Sequence, residues 1–184
     1  MIESFIALTS GILLLGIFWL TSDPRSKSER FQYFFKSEKI YLFTTYLFVL
    51  ATQFGFLQKG WFMIIPTQNI QFAGFILYFF GFLFAIWAKL IMGLNWGPPA
   101  QHTISRQSIL VTSGPFSFSR NPIYLGLLIG MTGYFLTFGS LLILLIAVRF
   151  AYLQYIVIPK EEKLLLTYFG KKYKKYMSTV RRWI

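Results

Sequence analysis

Two of the six acidic residues in this 184-residue chain stand side by side, in the run Pro159-Lys160-Glu161-Glu162. Adjacent carboxylates repel one another. The plain explanation for them is that they favour a helix N-terminus after Pro159. The functional one is that they bind something cationic, or something polyhydroxylated such as a ribose. A second constellation is Arg120-Asn121-Pro122. Asn121 is an N-cap residue placed before a proline suited to the first helical position. A helix starting there presents free N–H groups and a positive dipole end, with Arg120 beside them. That is an anion site fit for the carboxylate of an amino-acid-like ligand or for a phosphate. An ordinary helix start, with Arg120 on a lipid phosphate, explains the same residues equally well. Gln101 and His102 are the remaining polar candidates. His102 is the only histidine and has no carboxylate near it in sequence, so it reads as a loop residue. With no cysteine in the chain, disulfides, thiolate metal sites and cysteine nucleophiles are excluded, and no metal site is expected. No phosphate-binding glycine loop, dinucleotide fingerprint or Ser-His-Asp set occurs either.

The elements that must position these groups are apolar. Hydrophobic residues make up 55% of the chain and charged ones 13%, about half the charged fraction of a soluble domain. The 22 Phe, 11 Tyr and 5 Trp exclude a disordered chain. Runs long enough to cross a bilayer occupy residues 4–21, 40–58, 70–94, 123–138 and 141–158. The first is expected to be retained rather than cleaved, because Glu3 replaces a basic leader and a bulky charged segment follows. The pattern predicts an all-α integral membrane protein. One membrane domain over residues 1–184 holds about five transmembrane helices and a C-terminal amphipathic cytoplasmic helix. Gly126 and Gly130, four apart in the fourth run, suit close helix packing.

Between the third and fourth runs lies a polar loop, residues 95–122, where function is expected. With the N-terminus outside, the segments 22–39, 95–122 and 160–184 are cytoplasmic and hold five, two and eight of the 18 basic residues. That asymmetry follows the positive-inside rule and explains the net charge of +12 without nucleic acid. In the tail, Tyr173, Tyr176, Val180 and Trp183 are spaced to line one helix face, and Lys171, Lys172, Lys174, Lys175, Arg181 and Arg182 cover much of the rest. The spacing predicts a helix lying on the anionic inner leaflet; a solvated basic run that only anchors the tail is the simpler alternative.

Two stretches in this order resemble a known superfamily. Residues 110–126, L-V-T-S-G-P-F-S-F-S-R-N-P-I-Y-L-G, are similar to a signature of the isoprenylcysteine carboxyl methyltransferases and phospholipid methyltransferases. Residues 161–176, E-E-K-L-L-L-T-Y-F-G-K-K-Y-K-K-Y, resemble that superfamily's second signature, and G-L-N-W at 93–96 has the family look. The resemblance covers about half the chain, residues 91–184. It implies a membrane methyltransferase that uses S-adenosylmethionine, releases S-adenosylhomocysteine, and acts on a lipid-like or other membrane-partitioning acceptor by O-, N- or S-methyl transfer. By the same resemblance, Gln101, Ser108, Ile109, Leu110, Val111, Phe116, Asn121, Pro122, Tyr124 and Glu161 bind the cofactor at the cytoplasmic face. Arg120 and Glu162 fall where residues important for activity lie. Asn121 stands where histidine is usual, which the phospholipid N-methyltransferase pattern also allows. Phe116 replaces a tyrosine, and a family arginine before the acid pair falls near Val157. A sterol-reductase-like NADPH-dependent enzyme and a non-catalytic lipid-binding membrane protein stay open as alternatives.

Overall fold

The computed structural model describes residues 2–21, 65–95 and 109–184, and every regular element among them is helical. The predicted run at 40–58 lies outside the described residues. Helix α1 spans Ile2–Thr21 and α2 spans Gln68–Met92. Thr67 caps α2 by accepting the Ile70 N–H on its hydroxyl at 3.4 Å. A short 3₁₀ turn, Gly93–Asn95, follows. After a second 3₁₀ turn at Gly114–Ser117, helix α3 runs from Pro122 to Phe138. It stops at Gly139, whose φ of 63° places it in the left-handed region that glycine tolerates.

Helices α2 and α3 pack with their backbones in contact. A methyl group on Gly81 would meet the backbone nitrogen of Gly130, and one on Gly133 would meet the backbone of Tyr78 and Gly74. Small residues on both helices permit this close approach of the two backbones. Around the seam, Leu8, Tyr78, Phe82, Tyr134, Phe135 and Phe138 form a buried cluster. The Tyr78 hydroxyl donates to the Leu8 carbonyl at 2.6 Å and so ties α1 to the pair. The outward side of α2 exposes Phe72, Phe79, Phe80, Leu83 and Leu90. Among the described residues, α2 alone is long and apolar enough to cross a membrane; residues 8–18 of α1, and α3, are shorter apolar helices.

The chain after Gly139 differs from the expected division into a span ending at 158 and one tail helix over 160–184. A 3₁₀ turn, Leu141–Ile143, leads into α4, Leu144–Tyr152, then a π turn, Leu153–Val157, then α5, Ile158–Phe169. Pro159 does not end this helix because the π turn widens the backbone ring ahead of it, where a proline's missing N–H is accommodated. Gly170, with φ of 51°, separates α5 from α6, Lys171–Thr179. At Val180 the backbone turns extended and the helix is over. Tyr173 and Tyr176 therefore share a helix face, but Val180 and Trp183 do not join it. That face is turned into the protein rather than toward lipid, with Tyr173 2% and Tyr176 7% exposed.

Candidate active site at the α3–α5 junction

The site is assembled from the start of α3, the start of α5 and the last four residues. The 3₁₀ turn at Gly114–Ser117 leads the chain into α3, and α6 fixes that turn from behind. The Tyr176 hydroxyl donates to the Phe116 carbonyl at 2.6 Å. Burial pushes the Tyr176 phenol up to about 12. Burial also raises Tyr173, and the nearby negative charge of Glu162 adds to the effect while Arg120 opposes it. Both phenols therefore stay protonated into more alkaline conditions than a free tyrosine, close to the charge of Arg120.

That cluster joins the two sequence constellations. Arg120 Nη2 lies 2.9 Å from Glu162 Oε1, with the two side chains 10% and 9% exposed. Arg182 Nη2 approaches Glu162 Oε2 at 2.6 Å, and its Nε donates to Oε1 at 3.2 Å. One turn further into α3, the Tyr124 hydroxyl donates to Glu161 Oε1 at 2.6 Å. The adjacent glutamates are thus partnered separately, one by guanidinium groups and the other by a phenol. Placing cations against Glu162 offsets the cost of bringing a carboxylate out of water.

Asn121 occupies the N-cap position of α3, but its side chain makes no capping bond. Its Nδ2 donates to the Arg182 carbonyl at 3.0 Å, and its own N–H goes to Ser119 Oγ at 3.1 Å. Pro122 is buried at the first helical position. Arg120 is not free to receive a ligand with its whole guanidinium, because Glu162 already engages it. Its Nε is nevertheless buried with no acceptor.

Of the residues singled out in the sequence, Arg120, Asn121, Tyr124, Glu161 and Glu162 come together here, with Pro122 buried at the start of α3 and Phe116 buried in the turn before it. Ile109 sits at the end of α2, where its N–H donates to Asn95 Oδ1 at 3.3 Å, and leads through Leu110 and Val111 toward the 3₁₀ turn. Gln101 and Ser108, like His102, lie outside the described residues. The sequence reading missed Arg182, Gln154 and Trp183, having assigned the basic tail to the membrane surface. A tyrosine stripe suits a membrane interface as well as a protein neighbour, so the spacing alone did not tell the two apart.

Among the described residues, helices alone make up the regular structure of this strongly apolar chain, and they bring an ion cluster to a helix junction. The model of the phospholipid methyltransferase family matches residues 70–172, and the chain belongs to that family. Membership implies methyltransferase activity. Neither curated proteins nor solved structures give a match.

Proposed function

We propose that this protein transfers a methyl group from S-adenosylmethionine to a lipid-like or other membrane-partitioning acceptor, at the face where α3 begins and α5 is entered. One observation carries the proposal: Arg120–Glu162 and Tyr124–Glu161 meet at a single junction. The donor set fits the cofactor. The buried Arg120 Nε–H lacks an acceptor, and a carboxylate oxygen such as that of the methionyl group would supply one. Glu161, steadied by Tyr124, offers acceptor oxygens to ribose hydroxyls and negative charge to a sulfonium.

When bound, S-adenosylmethionine would supply an electrophilic methyl group, with the Arg120 Nε–H and Glu161 placed to hold it. The protein's share is orientation and exclusion of water. Glu162 keeps the Arg120 guanidinium aimed, since its Oε1 is engaged by Arg120 and Arg182 and its Oε2 by Arg182. An anionic acceptor needs no base. An ammonium acceptor must first give up a proton, and Glu161, the partly exposed member of the pair, is the carboxylate to take it.

Calorimetric titration of S-adenosylhomocysteine into detergent-solubilised protein tests the proposal, with Arg120→Ala, Glu162→Gln and the milder Tyr124→Phe alongside. Micromolar binding by the wild type, weakened in all three variants, is the expected result. No binding by folded wild-type protein overturns it, and NADPH is then the ligand to titrate.

A further inference from the structure

The chain's last four residues make more bonds to the site than to one another. Arg181 accepts the Arg120 N–H on its carbonyl at 3.0 Å. The Arg182 carbonyl accepts from Ser119 Oγ at 3.2 Å and Asn121 Nδ2 at 3.0 Å. The Trp183 indole N–H donates to Gln154 Oε1 at 2.8 Å, and its ring lies 5.0 Å from that of Phe150. This strap therefore bridges the N-terminal turn leading into α3 and the π turn.

The π turn explains why an arginine is needed. In an α-helix the Gln154 carbonyl would accept the N–H of Ile158, but that N–H donates instead to Leu153. The next residue able to serve is Pro159, which has no N–H. The Gln154 carbonyl is thus left without a helical donor, and a carbonyl partly withdrawn from water needs another one. Arg182 Nη1 donates to it at 3.3 Å. The same guanidinium reaches both oxygens of Glu162, a planar fork that lysine cannot reproduce.

We infer that Arg182 is a positioning residue of the methyltransferase site. Anchored on Gln154, it fixes the Glu162 carboxylate and through it the Arg120 guanidinium, and the strap it belongs to completes the site's wall. The inference rests on the function proposed above. Arg182 need not touch cofactor or acceptor.

A double-mutant cycle between Arg182→Gln and Glu162→Gln tests it, read by S-adenosylhomocysteine calorimetry on the full chain in detergent. Arg182→Gln is expected to weaken binding roughly tenfold, the scale of a coupling between contacting residues. Arg182→Lys should recover only part of that loss, and the double variant should bind no more weakly than Glu162→Gln alone. Wild-type affinity in Arg182→Gln, or losses that simply add in the double variant, overturns the inference. Hydrogen exchange at the Arg120 amide, which the Arg181 carbonyl protects, reads strap docking without any ligand. Protection lost in Arg182→Gln supports the role, and protection unchanged overturns it. If wild-type protein binds no S-adenosylhomocysteine, the proposed function fails, and the exchange measurement still decides whether Arg182 holds the strap. Should Arg182→Gln fail to fold, Arg182→Lys and Trp183→Phe carry the exchange comparison.

Discussion

Arg120 and Glu162 face each other at 2.9 Å, one just before α3 and the other in the first turns of α5. Each comes from a different signature stretch, and only the fold brings the two together. Their meeting brings the polar chemistry of both stretches to one point. Burial makes the pair brittle, because removing one partner strands the other in a poorly solvated place.

Glu162→Ala should accordingly destabilise the protein by about 3–5 kcal/mol, the cost of breaking a buried ion pair. Two guanidinium groups would lose their acceptor at once. Denaturant unfolding in detergent checks this. A loss under about 1 kcal/mol, typical of exposed pairs, would show that water already screens the cluster.

Tyr124→Phe deletes one hydroxyl and leaves the ring in the apolar cluster beside α5. A hydrogen bond to a charged group contributes about 1.5–3 kcal/mol, and Glu161 is only partly buried, so the lower end applies to stability. The folded variant should bind S-adenosylhomocysteine more weakly. Unchanged affinity would remove Glu161 from the cofactor's surroundings.

Alkaline pH should loosen the α6 face. The Tyr176 phenol rises from 10.0 to about 12 on folding, so the unfolded chain loses its proton first. The stabilisation is complete below pH 10 and is lost as pH climbs through the interval up to about 12. Thermal unfolding across that interval should show a falling midpoint. Tyr176→Phe should flatten the fall, while also costing stability at neutral pH through the lost bond to Phe116.

Gly81→Ala should be severe and Gly16→Ala mild. The first places a methyl group against the Gly130 backbone and the second meets nothing within 4 Å. Alanine in an open helical position is worth roughly 0.5–1 kcal/mol over glycine, so Gly16→Ala should be neutral or slightly stabilising. Equal effects of the two would mean that α2 and α3 do not pack backbone to backbone.

Local physics was readable from the sequence alone. Pro122 starts α3, although Asn121 before it gives its side chain to the Arg182 carbonyl and not to a cap; Gly139 ends the helix, the four-residue glycine spacing prepares a close approach, and a 3.6-residue period organises Tyr173 and Tyr176 on one face. Each of these acts within one or two turns of backbone, so neighbouring residues suffice to reveal it. Arg120, Asn121 and the acid pair were legible as polar groups open to a functional or an ordinary helix-start reading, and Tyr124 only through the resemblance of its stretch to a family signature. Their partners were not. A tail arginine ordinarily stays in water, and nothing near Arg182 in sequence tells it from Arg181. Only when the π turn deprives Gln154 of its helical donor, and α5 brings Glu162 alongside, does one of the two become a partly buried, fully engaged part of the structure. Ion pairs and carbonyl acceptors do not depend on sequence separation but on distances of about 3 Å, and folding alone sets those.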